Sequence, residues 1–204
     1  KLILRCQKPR KGKLDQIGRQ HMDQSILEDL DKKAQPGAFS SFDMEVFIPE
    51  IQKLNAGEIY LEVGTDKGRS LSIARQVIKE NINMYAVDIN YPDELKGYLK
   101  DNPEIEFFWM SSKSAAQVWK ERPMPKIYLL FIDGDHSYLG CRSDIENWFP
   151  FIAEGATMLF HDCDETSPGV MQAVSEFVDT HRNIKSFQLF KRTDKNTSMA
   201  KIQL

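Results

Sequence analysis

The chain has 204 residues, with 27 lysines and arginines against 30 aspartates and glutamates, so its formal net charge is −3. An apolar fraction of 41% and a charged fraction of 28% are typical of one globular domain, which excludes a disordered, collagen-like or disulfide-stabilised chain. The charge is uneven, because residues 1–13 carry six bases and no acid. The longest apolar run, residues 127–132, is far shorter than the ~20 residues that span a bilayer, so we expect no membrane contact.

Cysteine usage is typical of a reducing compartment. Cys6, Cys141 and Cys163 are widely spaced and form no C-x-x-C pair. No apolar stretch of the kind found in signal peptides follows the basic first residues. We therefore expect a cytoplasmic protein, and its near-neutral charge argues against nucleic acid as a general partner.

The first predicted helix covers residues 14–34, where apolar side chains recur at helical spacing. Together with the basic segment it forms an N-terminal extension, residues 1–39, which can pack on the domain, cover a site or mediate a homo-oligomer. The domain itself is predicted over residues 40–204. Its first helix begins near Ser40, with Asp43 completing a capping box, and Pro49 is expected to kink or restart it.

After residue 57, five strand-then-helix units follow one another, which indicates a parallel sheet with helices on both faces. Two alternating segments joined by a polar turn then predict a terminal antiparallel hairpin. The fold class is therefore α/β, Rossmann-like and doubly wound, with a seven-stranded, mostly parallel sheet. The strands are predicted at 59–63, 84–88, 105–110, 127–133, 157–161, 184–192 and 198–204, the helices after residue 57 at 68–80, 92–99, 114–121, 141–152 and 169–180, and the turn at 193–196.

Ligands of an open parallel sheet bind beyond the carboxyl ends of its strands, so candidate binding residues are expected there. The first strand ends in Glu62-Val-Gly-Thr-Asp-Lys-Gly68, whose glycines allow a tight turn and a close approach of a ligand. The run is not G-x-G-x-x-G, so the fingerprint of nicotinamide and flavin binders is missing. Asp88 ends the second strand, where a carboxylate can bind the ribose hydroxyls of a nucleoside. A plain tight turn and a helix cap are the structural alternatives.

Acids and histidines follow the fourth and fifth strands. The fourth strand ends in Asp133-Gly-Asp-His136 and the fifth in His161-Asp162. If these strands are neighbours, about 4.8 Å apart, their terminal side chains face one cleft. Paired carboxylates with an imidazole can hold a divalent cation, or they can polarise a substrate hydroxyl while His136 takes its proton. A set of helix caps and turn residues is the structural alternative.

Taken together, these motifs resemble a class I S-adenosylmethionine-dependent methyltransferase. The most similar subgroup contains the macrocin-type sugar O-methyltransferases and the cephalosporin-biosynthesis O-methyltransferase-like proteins. The resemblance runs from about residue 40 to residue 204, and its most specific part is the run Phe131-Ile-Asp-Gly-Asp-His-Ser-Tyr138. It implies the doubly wound fold already inferred from the strand pattern.

The resemblance also implies a role for each motif residue. His136 and Asp133 would be catalytic, with His136 as the base. Asp133, His161 and Asp162 would hold a metal, although a histidine ligand suits manganese better than magnesium. Lys113 stands where similar proteins usually have an acid beside the adenine, with Ser114 next to it. The cofactor-binding residues would be Glu62, Gly64, Thr65, Gly68, Ser70, Asp88, Ser112, Lys113 and Asp133.

The implied activity is O-methylation of a small-molecule hydroxyl, with S-adenosylmethionine as cofactor and with or without a magnesium or manganese ion. Two other classes stay open. One is a methyltransferase of RNA or protein, for which residues 1–13 would be the electrostatic footprint. The other is a non-catalytic module that binds S-adenosylmethionine or a nucleotide. Asp133, His136 and Asp162 favour an enzyme, because binding alone does not require these groups.

Overall fold

The computed structural model describes residues 22–122, 124–191 and 198–204; the basic segment 1–13, the first part of the predicted helix 14–34 and the predicted turn 193–196 lie outside them. No helix of the described residues is long and apolar enough to cross a bilayer. The elements, in chain order, are α1 (Gln24–Lys33), α2 (Ser41–Lys53), β1 (Ile59–Val63), α3 (Arg69–Val77), β2 (Asn83–Asp88), α4 (Asp93–Asp101), β3 (Ile105–Trp109), α5 (Ser112–Glu121), β4 (Ile127–Ile132), α6 (Tyr138–Trp148), a 3₁₀ turn (Phe149–Phe151), β5 (Ile152–His161), α7 (Pro168–Thr180), β6 (Ser186–Lys191) and β7 (Ser198–Gln203).

Within the described residues, seven strands form one sheet in the order β3-β2-β1-β4-β5-β7-β6. Strands β1 to β5 run parallel, whereas β7 pairs antiparallel with both β5 and β6. The predicted α/β fold with its terminal hairpin is therefore confirmed. The strand order reverses between β1 and β4, and the crevice at such a reversal is where doubly wound sheets bind ligands.

The central strands are buried on both faces, which explains their nearly continuous apolar sequence. In β4, Leu130 and Ile132 pack into a core with α5, α6 and α7, and the alternate residues Leu129 and Phe131 pack into a second core with α1 to α4. Successive side chains of a strand point to opposite faces, so one apolar run supplies both cores. The helices thus fix the strand ends from two sides.

Helix α2 shows one confirmed and one unconfirmed expectation. The capping box predicted from Ser40 and Asp43 is present, but the helix continues through Pro49 without a restart. Phe47 and Ile48, just before the proline, are completely buried. Packing of this apolar face offsets the loss of the N–H group that proline lacks.

The boundaries around β5 also differ from the sequence prediction. Helix α6 ends at Trp148, which is completely buried, and a 3₁₀ turn replaces the last turn of the helix predicted over residues 141–152. Strand β5 then begins at Ile152 rather than at residue 157. The register with β4 shifts near the start of the strand, and Gly155 adopts a φ of +78° there, so this glycine lies within an irregular part of the strand.

The described part of the N-terminal extension is attached to α3 through Arg69. The side chain of Arg69 donates from Nε to the carbonyl of Phe39 (3.0 Å) and from Nη1 to that of Gln35 (2.9 Å), and its Nη2 contacts the carboxylate of Asp31. The amide of Gln35 also donates to the hydroxyl of Ser72 (2.9 Å). The segment that precedes α2 is thus held beside the start of α3, while the boundary between residues 39 and 40 stays a prediction.

Removing this attachment should destabilise the protein measurably. We expect Arg69→Ala to lower the free energy of unfolding by roughly 1–3 kcal/mol, since two backbone carbonyls lose a charged donor. Arg75→Ala is the matched control on the same helix. Its exposed pair with Glu104 predicts a loss of less than about 1 kcal/mol in denaturant unfolding. An equal loss in the two variants would contradict the assignment.

Candidate active site

The carboxyl ends of β1, β2, β4 and β5 surround a cavity of about 690 Å³, a size typical of small-molecule sites. The predicted catalytic and metal residues His136, His161 and Asp162 line it. Glu62 and Gly68 do not line it, since Glu62 is completely buried beneath the wall and Gly68 caps α3. The predicted cofactor residues in the lining are Gly64, Thr65, Ser70, Asp88, Ser112, Lys113 and Asp133.

Gly64 allows the ends of β1 and β4 to approach each other. Its φ is +86°, and a Cβ atom at this position would lie 2.2 Å from the carbonyl oxygen of Asp133. The amide of Asp133 donates to the carbonyl of Val63 (2.8 Å), and the amide of Gly64 donates to that of Val87 (2.9 Å). A side chain cannot fit here, so the close approach of the two strand ends requires a glycine at this position.

Asp88 holds the glycine turn in place. Its Oδ2 accepts the backbone amides of Thr65 and Asp66 (2.8 Å each), and its Oδ1 accepts that of Asn90 (2.7 Å). A carboxylate offers about four lone-pair positions, so these contacts leave room for about one further donor. The structural alternative for Asp88 is therefore present, and a ribose hydroxyl can still bind beside it.

Glu62 belongs to a buried hydrogen-bonded group below the glycine turn. The hydroxyl of Tyr60 donates to its Oε2, and the hydroxyl of Ser70 donates to its Oε1 (2.9 Å). Burial raises the pKa of Glu62 to about 8, because the two hydrogen bonds compensate the lost hydration only in part. The carboxyl group is therefore mostly neutral at pH 7.

His136 lies between two carboxylates at the open side of the cleft. Its Nε2 is 3.3 Å from Oδ1 of Asp133, and its Nδ1 is 3.6 Å from Oδ2 of Asp162. Strands β4 and β5 are hydrogen-bonded neighbours, as the sequence prediction required. The His136 side chain is 41% exposed, so a ligand in the cleft can reach the imidazole.

His161 lies beneath this pair and is nearly buried. Its Nδ1 is 3.2 Å from Asp133 and 3.5 Å from Asp162, and its Nε2 faces Oδ1 of Asp43 at 3.3 Å. The ring of Phe39 stacks on the imidazole, with a centroid distance of 5.7 Å. Both nitrogens thus face carboxylates, an arrangement that favours the doubly protonated imidazolium.

The three groups shift one another's proton affinity. The contact with Asp133 raises the pKa of His136, against a smaller opposing effect of burial. Burial lowers the pKa of His161, but contacts with Asp133, Asp162 and Asp43 outweigh it and hold the pKa well above its usual value. Burial raises the pKa of Asp133, and hydrogen bonds from the two histidines more than offset this, so the pKa of Asp133 is lowered.

One group among the described residues has the arrangement of a metal site. Asp133, His136 and Asp162 each offer a ligand atom, and these atoms lie within 4.8 Å of one another. This set differs from the predicted set, which had His161 in place of His136. The side chain of His136 is 41% exposed and that of His161 only 8%, so His136 is the imidazole that a ligand in the cleft can reach.

Sequence reasoning missed several residues of the site, among them Phe39, Asp43 and Asp144. Phe39 lines the cavity from the segment before α2, and Asp43 was interpreted only as a helix cap. Asp144 lines the cavity from α6, although its side chain is nearly buried. Asp144 left a signal, since it lies on the apolar stripe formed by Cys141, Ile145 and Trp148.

A comparison with protein families decides the class. A family model described as a methyltransferase domain matches residues 61–163, which is half of the chain and includes the glycine turn and the Asp133–Asp162 cluster. The chain belongs to this methyltransferase family. The enzyme class implied by the sequence, an S-adenosylmethionine-dependent methyltransferase, is thereby confirmed, whereas the macrocin-type subgroup stays a prediction.

The methyltransferase is similar in fold to several solved structures. An O-methyltransferase from Bacillus cereus in complex with SAH superposes with a TM-score of 0.69 at 12% identity, over 91% of this chain and 93% of the other. TomG from Streptomyces achromogenes, an O-methyltransferase of tomaymycin synthesis in complex with SAM, gives 0.69 at 13% identity, over 87% and 89%. CalS11, a TDP-rhamnose 3'-O-methyltransferase of calicheamicin biosynthesis, gives 0.62 at 14% identity, over 89% and 80%. A search of curated protein sequences found no significant match.

The neutral Glu62 makes a prediction about stability and pH. Its pKa is about 8 in the folded methyltransferase and 4.5 for the free side chain, so the folded state binds the extra proton between these values. Stability from this group is therefore complete below pH 4.5 and is lost as the pH rises through about 8. Glutamine does not ionise, so the Glu62→Gln variant does not lose this stability as the pH rises. Its melting temperature should therefore increase relative to that of the wild type between about pH 5 and 9.

The control for this experiment is Glu154→Gln, which removes an exposed carboxylate. Melting curves of the control should follow those of the wild type over the same pH range. Parallel curves for Glu62→Gln and the wild type would show that Glu62 ionises normally in the fold.

Proposed function

We propose that this methyltransferase transfers the methyl group of S-adenosylmethionine to a hydroxyl oxygen of a small molecule, with His136 as the base and Asp133 as the group that positions the acceptor. The observation that supports it is the place of His136, between Asp133 and Asp162 at the open side of the cleft. The cofactor supplies a methyl group on a positively charged sulfur, which the acceptor oxygen attacks in line. Alignment of the two reactants can account for ~7 kcal/mol or more of the rate enhancement.

His136 has the properties of a general base in this reaction. It is reachable from the cleft, and the hydrogen bond to Asp133 raises its pKa above the usual value, which makes the neutral imidazole a stronger proton acceptor. Asp133 accepts a hydrogen bond through Oδ1, and its lowered pKa keeps it ionised as an acceptor. A substrate hydroxyl that donates a hydrogen bond to Asp133 or His136 would be held in the cleft, with its oxygen positioned to receive the methyl group.

The rest of the cleft is suited to a positively charged cofactor with a nucleoside portion. Asp88 retains room for one ribose hydroxyl, and the turn after Gly64 lies in the cavity wall. Acids outnumber bases among the described lining residues, with Asp66, Asp88, Asp133, Asp135, Asp144 and Asp162 on the cavity wall. Their field attracts a sulfonium and opposes an anionic acceptor.

A divalent cation fits one part of the proposed site. Asp133, His136 and Asp162 would hold it, and two carboxylates with one imidazole suit manganese or iron better than magnesium. A bound cation would act as a Lewis acid on the acceptor hydroxyl. His136 cannot be a metal ligand and the base at once, so a requirement for metal would move the base role away from His136.

The direct test is methyl transfer by the full chain. Purified protein is incubated with methyl-labelled S-adenosylmethionine and, separately, with a pool of small hydroxylated metabolites, total RNA and total protein, each with and without a chelator. We expect label in the metabolite fraction with chelator present. Label in RNA or protein would support the second class, and cofactor binding without any transfer would support the non-catalytic module. Activity restored by manganese alone would favour the metal-assisted form.

Substitution of the two catalytic residues tests the assigned roles. His136→Ala and Asp133→Ala should each lose about 100-fold or more in turnover, as expected when a general base or its partner is removed. S-adenosylhomocysteine should still bind both variants in calorimetry, because the cofactor is held mainly by other residues. His181→Ala is the matched control, since His181 lies at the end of α7 against Phe177, and it should keep wild-type turnover. Full activity of His136→Ala would contradict the assignment.

A further inference from the structure

A carboxylate that the metal-free reaction does not use lies at the reacting end of the cleft, which is the end formed by β4 and β5. Asp162 directly follows β5, its side chain is 26% exposed, and it lines the cavity beside Asp133 and His136. The proposed reaction gives the role of base to His136 and the positioning of the hydroxyl to Asp133. Asp162 is therefore available for another group of the acceptor.

The backbone holds Asp162 in an unusual conformation. Its φ is +52°, in the left-handed region that few residues other than glycine, asparagine and aspartate adopt. Its amide donates to the carbonyl of Ser198 at the start of β7 (3.0 Å), which fixes the loop against the sheet. Such conformations persist where the surrounding structure enforces them, and they are frequent at binding sites. The loop after β5 thus holds this carboxylate at the cavity wall.

Asp162 has weaker contacts than Asp133. Its Oδ2 lies 3.5 Å from Nδ1 of His161 and 3.6 Å from Nδ1 of His136, beyond the ~2.7–3.2 Å of a normal N–H···O hydrogen bond. Asp133 lies closer to the same two imidazoles, at 3.2 and 3.3 Å. Among the described residues, Oδ1 of Asp162 has no such contact, and a carboxylate offers about four lone-pair positions. The Asp162 carboxylate therefore retains capacity for a donor from a ligand.

The reacting end has an excess of negative charge. The imidazolium of His161 faces three carboxylates, which are those of Asp43, Asp133 and Asp162. The imidazole of His136 is neutral when it acts as the base. One positive charge thus faces three negative ones, and a ligand that brings a further positive charge is favoured there.

The other cations of the described lining do not supply this charge. Arg69 contacts the carboxylate of Asp31 and donates to two backbone carbonyls, so its guanidinium is already paired. Lys113 belongs to the first turn of α5, which follows β3, whereas the reacting end is at β4 and β5. The sulfonium of the cofactor offsets one negative charge. The acceptor is the remaining source of a cation.

We propose that Asp162 binds an ammonium group of the acceptor, so that the substrate class is an amino alcohol with a protonated primary or secondary amine beside the methylated hydroxyl. This inference rests on the proposed function, since it takes the acceptor hydroxyl to lie at Asp133 and His136. One ligand atom from each of Asp133, His136 and Asp162 lies within 4.8 Å of the others, a spacing that suits groups on neighbouring carbons. The ammonium occupies the place that a divalent cation would take, and the two compete for it.

The ammonium also directs the methyl group to oxygen. A protonated nitrogen has no lone pair and cannot attack the sulfonium, whereas the hydroxyl oxygen can. The oxygen forms a bond to the methyl carbon, the bond from that carbon to sulfur breaks with its electron pair passing to sulfur, and the hydroxyl proton passes to His136. The products are a methyl ether, S-adenosylhomocysteine and a protonated His136. A charge-assisted hydrogen bond to Asp162 holds the ammonium throughout.

The first test uses the charge of the acceptors. A pool of small hydroxylated metabolites is separated on a cation exchanger at pH 7, and each fraction is incubated with the full chain, methyl-labelled S-adenosylmethionine and a chelator. We expect label in the retained fraction. Acetic anhydride in water converts the amines of this fraction to neutral amides and should lower the incorporated label about tenfold or more. A second portion receives hydrolysed anhydride as the control.

Asp162→Asn tests the residue itself. Asparagine has nearly the same shape and tolerates a positive φ, so the loop should keep its conformation. The ammonium is bound equally before and during methyl transfer. The amount of retained fraction that gives half-maximal rate should therefore rise about tenfold or more, with a much smaller change in the maximal rate. Calorimetry should show wild-type affinity for S-adenosylhomocysteine, because Asp162 contacts the acceptor.

Glu165→Gln is the matched control, since it removes a carboxylate from the same loop. Glu165 pairs with Lys191 and is not part of the described cavity lining, so this variant should keep the rate curve of the wild type. An unchanged half-maximal amount in Asp162→Asn would overturn the inference.

Three results with the wild type would also contradict it. They are label mainly in the unretained fraction, label in the retained fraction that survives acetylation, and transfer to the retained fraction that requires manganese. Absence of label from every fraction would instead overturn the proposed function, and this inference with it.

Discussion

The contacts of one nearly buried imidazole with three carboxylates organise the carboxyl edge of the sheet. His161, the last residue of β5, faces Asp43 on one side and Asp133 and Asp162 on the other. Without a positive charge between them, three carboxylates in a confined space would repel one another and would be costly to keep ionised. The imidazolium lets Asp133 stay ionised while it is largely shielded from water, and it links α2 to the ends of β4 and β5.

This arrangement separates the roles of the two histidines. His161 has carboxylates at both nitrogens and a stacked aromatic ring, so its charge and orientation are fixed. His136 shares Asp133 and Asp162 with it but is 41% exposed, so it can exchange a proton with a ligand. The fixed charge of His161 and the exposed, titratable imidazole of His136 together suit the removal of a proton from an acceptor hydroxyl. The same cleft continues to Asp88 and Asp144, and both imidazoles of its described lining, His136 and His161, lie at the end formed by β4 and β5.

Much of the fold could be predicted from the sequence, because it depends on local patterns. The apolar run from Ile127 to Ile132 has the composition of a strand that is covered on both faces, and glycine at position 64 is required by the close contact with Asp133. The strand-end rule placed Asp133, His136, His161 and Asp162 in one cleft, where the structure has them. The sequence pattern was sufficient to predict the structure wherever residues that are close in sequence determine the geometry.

The rest depends on contacts between distant segments. Asp43 completes a capping box whether or not it also faces His161, so the sequence around it carries no sign of the second contact. The hydrogen bond from Trp148 to Ser112 joins α6 and α5, and no motif in the sequence predicts how these two helices pack. The continuous helix through Pro49 likewise depends on burial against the core rather than on local preference.

The most direct test of this account is a titration of the imidazole rings by NMR, with each signal assigned from a single substitution at its histidine. The account predicts that His161 stays protonated well above pH 6.5 and that His136 titrates above 6.5, with the pKa of His136 falling in Asp133→Asn. A His161 ring that titrates at or below 6.5 would contradict the central role of the buried imidazolium.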